Sequence, residues 1–201
     1  MEKQSIIKEY SLTKRQIYFL DMYINQLKKT NENFNLVGKS TLINSWDRHI
    51  NDSLQLSKYI KDKKSSIIDM GTGAGLPGLI LAIYGYSNIL LVDSKLKKIR
   101  FINDFVNENK IITQTLCTQV NKIKNKKFDF IVCRAFAPLI RILNYSLIFS
   151  KKNTSLLFLK GRNVKNEIKD AKKQFSFQYN LYESSSVGGG FVININKLIK
   201  L

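Results

Sequence analysis

The sequence predicts one α/β domain: a mostly parallel sheet covered by helices on both faces, preceded by N-terminal helices and closed at one edge by an antiparallel C-terminal hairpin. Three observations carry this. From Ile67 onward, short apolar runs alternate with segments of helical periodicity, the pattern of strands joined by crossover helices. A glycine-rich stretch, Gly71 to Gly78, separates the first such run from the first helical segment. Near the end, two β-rich segments follow one another with no helix between them, which requires an antiparallel pair.

Taken in order, positions 11 to 29 set Ile17, Leu20, Ile24 and Leu27 at helical spacing, with Thr13 and Gln16 in capping-box relation. After the polar TNENFN, the residues Ile43, Trp46, Ile50 and Leu54 repeat the rhythm and predict a second helix over about 40–60. These helices form an N-terminal extension, 1–60, on a core of 61–201. No linker or internal repeat divides the chain, so 1–201 reads as a single domain. In the core, SIID leads into GLPGLILAIYG, NILLVD into SKLKKIRFINDFVNEN, and FDFIVCRA into PLIRILNYSLIF. TSLLFLKG precedes the basic helical stretch VKNEIKDAKKQF, and FQYNLYE with GFVININKL supplies the hairpin.

At 201 residues, 44% hydrophobic and 24% charged, the chain can bury a core without disulfides or a structural metal, which excludes a disordered tail or fibrous repeat. The formal net charge is +18. Of 33 basic residues 27 are Lys, and with 19 Asn and 25 Ile part of that surplus reflects A/T-rich codons. Placement is not explained this way: residues 121–201 carry 16 basic and 4 acidic side chains. That field attracts polyanions, nucleic acid first. Charges at Glu2, Lys3, Lys8 and Glu9 interrupt any secretory leader, and with Cys117 and Cys133 as the two cysteines a reducing, cytoplasmic setting is expected. The longest apolar stretch, Gly78 to Tyr86, falls well short of the roughly 20 residues of a membrane span. One histidine and two distant cysteines make no zinc site, and no serine stands in GxSxG, so metal and acyl-enzyme chemistry are not expected.

The strongest chemical signal is Asp69-Met-Gly71-Thr-Gly73-Ala-Gly75-Leu-Pro77-Gly78, between an apolar strand and an apolar helix. Glycines there let the backbone turn sharply and approach a nucleotide-like ligand closely. Asp93, 22 residues after Gly71 at the end of the next strand, is placed to accept ribose hydroxyls. Gly73, Gly75 and Gly78 also satisfy GxGxxG, which keeps an NAD-dependent oxidoreductase open as an alternative. Two features favour S-adenosylmethionine: the acidic Asp69, attractive to the ammonium of a methionine moiety and repellent to a pyrophosphate, and the lack of a second domain for a dehydrogenase substrate. The GKS at Gly38–Ser40 is no P-loop, because position 33 is Asn.

DRHINDS (Asp47–Ser53), DMGTGAGLPG (Asp69–Gly78), VDSKLKKIRF (Val92–Phe101), CRAFAPL (Cys133–Leu139) and LKG (Leu159–Gly161) together resemble the RsmG/GidB family, over about residues 12 to 200. The resemblance implies a Rossmann-like class I methyltransferase fold with a seven-stranded sheet. It implies transfer of a methyl group from S-adenosylmethionine to guanine N7 in small-subunit (16S) ribosomal RNA. It places Gly71 and Leu76 beside the cofactor, Val120 and Asn121 at its adenine, with Asn121 standing where the family usually has an acid, and Arg134 at its reactive end. With the glycine-turn reading, the cofactor set becomes Asp69, Gly71, Gly73, Gly75, Leu76, Asp93, Val120, Asn121 and Arg134. The family's frequent Arg before the last apolar strand is missing from GGGFVIN.

The implied chemistry is consistent with the residues. Guanine N7 bears an exposed lone pair, so its attack on a sulfonium methyl needs no general base, and Arg134 is expected to act by positioning. The expected RNA-facing residues are Arg48, His49, Lys160, Arg162, Lys165 and Lys169. For His49, on one predicted helix with Arg48 and Asp52, the competing reading is a hydrogen-bonded strut joining the N-terminal helices to the sheet. The partner is small-subunit ribosomal RNA or a ribosomal particle, with neither membrane nor metal, and the chain is expected to be a monomer. An RNA-associated nucleotide-binding protein that transfers no methyl is the second alternative.

Overall fold

Two helices open the chain in the computed structural model, which describes residues 1–201: α1 (Lys3–Glu9) and α2 (Lys14–Asn33). The predicted capping box starts α2, Thr13 accepting from the Gln16 amide while the Gln16 side chain accepts from the Thr13 amide. The inward face of α2 buries Leu20, Tyr23, Ile24 and Leu27. α1 was not legible, because seven residues with Ile6 alone fully buried show no period.

The single helix expected over 40–60 is instead a broken helical path. A 3₁₀ turn (Lys39–Leu42) leads through a π-helical turn (Trp46–Asn51) and α3 (Asp52–Leu54) to a second 3₁₀ turn (Gln55–Lys58). Ile43, counted on the apolar face, is 82% exposed. Asp47, His49, Asn51 and Gln55 are buried, and each needs polar partners that a regular amphipathic helix does not supply. Asp47 takes the Met1 ammonium at 2.6 Å and the Val187 amide at 2.6 Å; Asn51 donates to Asp47 and to the Ser185 carbonyl. Winding relaxes where those partners are recruited.

The sheet contains β1 (Ile67–Met70), β2 (Ile89–Asp93), β3 (Gln114–Cys117), β4 (Phe130–Arg134), β5 (Ser155–Lys160), β6 (Phe175–Glu183) and β7 (Phe191–Lys200). Their order is β3-β2-β1-β4-β5-β7-β6, parallel except where β7 runs antiparallel to β5 and β6. α4 (Gly78–Ile83) and α5 (Leu96–Asn109) pack with the N-terminal helices in one apolar cluster, and α6 (Leu139–Phe149) and α7 (Val164–Ala171) in a second. β1 and β2 are buried at every position, which is why they read as unbroken apolar runs. β3 had no such signal: it is a four-residue edge strand with no residue buried. No helix is long and apolar enough to cross a membrane.

This order positions the site. Connections leave β1 in one direction through β2 to β3, and in the other from β4 to β5, so the crevice for a ligand lies at the carboxyl ends of β1 and β4.

Candidate active site

Gly71 follows β1 at φ +70°, in the left-handed region, and a Cβ there would overlap the Phe136 ring. Gly73, at φ +61°, faces open space: the atom nearest to an added Cβ is the Gly71 carbonyl oxygen, at 3.9 Å. Gly75 packs on Leu79 of α4 and does not line a cavity, so its contribution is to the turn. α2 fixes the turn from outside, Tyr23 Oη donating to the Ala74 carbonyl at 2.9 Å.

Asp69 corrects an expectation. It was expected to meet the cofactor's ammonium, but it is fully buried beneath the turn and lines neither major cavity. Its Oδ2 accepts the Thr72 hydroxyl at 2.6 Å and the Gly78 amide at 2.8 Å, locking the turn to the start of α4, while Oδ1 is buried without a partner. Burial pushes its carboxyl up to about 7 against the pull of those hydrogen bonds.

Asp93 ends β2 and does line a cavity. Its Oδ2 accepts the Gly73 amide at 3.0 Å, its Oδ1 accepts the Lys95 amide at 2.9 Å, and Lys98 Nζ stands 3.6 Å away. That cavity, about 430 Å³, also takes Val120, Asn121 and Phe136 into its wall. A second cavity of about 490 Å³ is lined by Gly73, Leu76, Arg48, His49, Arg134 and Phe191, among others. The two share Gly71, Lys98 and Ala135, so they meet over the ends of β1 and β4.

Arg134, next to the shared Ala135, lines the larger cavity and is held by the N-terminal extension. Its Nη1 donates to the Arg48 carbonyl at 2.8 Å and to Asp52 Oδ2 at 2.9 Å, and its Nη2 lies 2.9 Å from His49 Nδ1. Because the guanidinium only donates, Nδ1 must accept; Nε2 then carries the proton and donates to Thr41 Oγ1 at 3.0 Å, whose hydroxyl donates to the Gly38 carbonyl at 2.6 Å. Burial, then the Arg134 and Arg48 charges, hold His49 down to about 3, so the ring is neutral. Burial raises the Asp52 carboxyl from its usual value, with Arg134 opposing. His49 is therefore a strut and not an RNA-facing group: it is 1% exposed with both ring nitrogens engaged.

Lys160 is a further correction. Its ammonium is paired with Glu167 at 2.7 Å and donates to the Ala137 carbonyl at 3.0 Å, joining β5 to α7 and the turn after β4. Glu167 also accepts the Leu139 amide, so Lys160 has no free charge for a phosphate. Arg162, Lys165 and Lys169 are exposed, as an RNA-facing role requires. Sequence reasoning did not single out Lys98, Thr41, Phe136 or Phe191. Phe136 lies inside the CRAFAPL motif, which was its one available signal.

The donor set fits S-adenosylmethionine: an open glycine turn, a carboxylate at the end of β2, and Arg134 with the Nε hydrogen and one Nη2 hydrogen still uncommitted. The sheet does not fit the dinucleotide alternative, whose strand order is 3-2-1-4-5-6, whereas here antiparallel β7 is inserted between β5 and β6. Fold and site define a class I, S-adenosylmethionine-dependent methyltransferase. Among solved structures, the fold resembles that of M. jannaschii TYW2 in complex with AdoMet (TM-score 0.57, 13% identity, 76% of each chain). It also resembles a ribosomal protein L11 methylase from Lactobacillus delbrueckii subsp. bulgaricus (TM-score 0.58, 16% identity, 72% of this chain and 75% of that one). Residues 16–189 match the GidB family, rRNA small subunit methyltransferase G. Ribosomal RNA small subunit methyltransferase G of Rickettsia prowazekii (strain Madrid E) is 37% identical over 184 residues, covering 90% of this chain and 94% of that protein. The chain belongs to the GidB family.

Proposed function

We propose that the protein transfers the methyl group of S-adenosylmethionine to N7 of a guanine in small-subunit ribosomal RNA, acting as a monomer in the cytoplasm. Bound S-adenosylmethionine supplies an electrophilic methyl on a sulfonium. Gly71, Gly73 and Leu76 border its position, Asp93 accepts from its ribose, Val120 and Asn121 border its adenine, and Arg134 stands at the reactive end. The N7 lone pair forms the new C–N bond as the C–S bond breaks, its electron pair staying on sulfur; no proton leaves the base.

The observation that carries the N7 assignment is the state of the proton acceptors in the larger cavity. His49 Nδ1 and Asp52 Oδ2 both receive hydrogen bonds from Arg134, and His49 Nε2 is already protonated toward Thr41. Neither is free to deprotonate an attacking group, and N7, unlike an exocyclic amine, needs no such base. The exposed basic residues of the last third support a polyanionic acceptor. The test incubates the protein with labelled S-adenosylmethionine and purified small or large ribosomal subunits from cells lacking the modification. Label confined to small-subunit RNA is expected; label in the large subunit, or none, contradicts the assignment.

A further inference from the structure

Part of the larger cavity's lining comes from the turn between β6 and β7, through Ser184, Gly189 and Phe191. Phe191 supplies the one phenyl, phenol or indole ring on that lining. The ring is half-buried, and its backbone is fixed by pairing with Lys160 on β5 and Glu183 on β6. Lys165 Nζ stands 6.0 Å from its centroid. The three residues before it, Gly188 to Gly190, carry no side chains to cover it.

Arg48 lines the same cavity. Its guanidinium lies against Gly188, where a Cβ would overlap it, and Arg162 flanks Gly189 in the same turn. Unlike its neighbours Arg134 and Lys160, the Arg48 side chain takes part in none of the ion pairs of the structure. The one carboxylate on that lining, Asp52, is paired with Arg134, and a partly buried arginine that faces a cavity without an ion-pair partner of its own is suited to a phosphate, which it grips bidentately. An aromatic face and a free guanidinium in one cavity meet the two needs of an unstacked nucleotide, a platform for the base and a counter-charge for the backbone. The deep, narrow groove of an RNA helix hides guanine N7, so the acceptor base has to stand outside a duplex stack to be reached.

We propose that Phe191 and Arg48 form the acceptor subsite: the target guanine stacks on Phe191 and an adjacent RNA phosphate is held by Arg48, positioned by the missing side chain at Gly188. This rests on the methyl-transfer reading above and names the acceptor's contacts within it. Assigning Arg48 to phosphate leaves the N7 lone pair unoccupied by any donor, as its attack requires.

The experiment measures kcat/KM for methyl transfer to unmodified small subunits, S-adenosylmethionine affinity by calorimetry, and melting temperature for Phe191→Leu, Phe191→Tyr and Gly188→Ala. Phe191→Leu should lose about tenfold or more in kcat/KM, in the range of a single base–aromatic stack. Its cofactor affinity should be unchanged, and Phe191→Tyr should retain activity. Gly188 has an ordinary φ that alanine tolerates, so Gly188→Ala should fold, displace the Arg48 head without altering charge, and raise KM for the subunit. Wild-type kcat/KM in Phe191→Leu, equal losses in the leucine and tyrosine variants, or an unaltered KM in Gly188→Ala would each overturn the subsite. A wild-type protein that labels no subunit would overturn the methyl-transfer reading itself, a separate and visible result.

Discussion

Arg134→Lys isolates the strut in the wall of the larger cavity. Lysine keeps the charge and can satisfy Asp52, but a single ammonium on a flexible stem cannot also reach the Arg48 carbonyl and His49 Nδ1. Two charge-assisted hydrogen bonds are lost, each worth about 1.5–3 kcal/mol when both partners are shielded. Arg134 and Asp52 each keep 18% of their side-chain surface exposed, which favours the lower end of that range, about 3 kcal/mol in all. For a domain of this size each kcal/mol shifts Tm by about 2–4 °C, so a fall of about 6–12 °C is expected by calorimetry. Methyl transfer should fall further than the residual folded fraction explains, because the proposed function also puts this arginine at the reactive end of the cofactor. A variant melting within about 1 °C of wild type, with unchanged cofactor affinity, would refute the claim that this network ties β4 to the N-terminal extension.

Asp93→Ala should weaken S-adenosylmethionine binding by about tenfold or more in calorimetric titration, since it removes a charged acceptor; unchanged affinity would take Asp93 out of the site. Folded His49 stays unprotonated down to about 3, whereas in the unfolded chain it protonates near 6.5, so its contribution to stability is lost as pH falls from 6.5 toward 3. Asp69 acts oppositely: its folded value is raised to about 7 from 3.8, so its contribution grows as pH falls through that window. His49→Asn, which keeps an acceptor for Arg134, should therefore lose less Tm than wild type between pH 7 and 5, and parallel curves would contradict the buried neutral ring. Replacing exposed Lys165, Lys169 and Lys172 by Gln should reduce the slope of log K against log salt for RNA binding by about 2, and an unaltered slope would leave them a solvated face.

The sheet was legible where strands are buried on both sides, because burial forces continuous apolar runs at β1 and β2 and leaves β3, at the exposed edge, without one. The glycine turn and Asp93 were legible because their spacing is local to two strand ends. What a neighbouring side chain faces is not local. Asp69 stands two residues before Gly71 yet points into the core, and His49 owes its state to Arg134, 85 residues later. Lys160 reads as a free cation until α7 brings Glu167 against it. Phe191 follows a glycine run with no chemical signature of its own; only the turn between β6 and β7 brings it into a cavity with Arg48.

The central claim is methylation of guanine at N7, and nucleoside analysis tests it most directly. Small subunits lacking the modification are treated with the protein and labelled S-adenosylmethionine, the RNA is digested, and the labelled nucleoside is identified by mass spectrometry. Labelled 7-methylguanosine is the predicted result. Label on any other nucleoside, or on an exocyclic amine of guanosine, would contradict the N7 assignment.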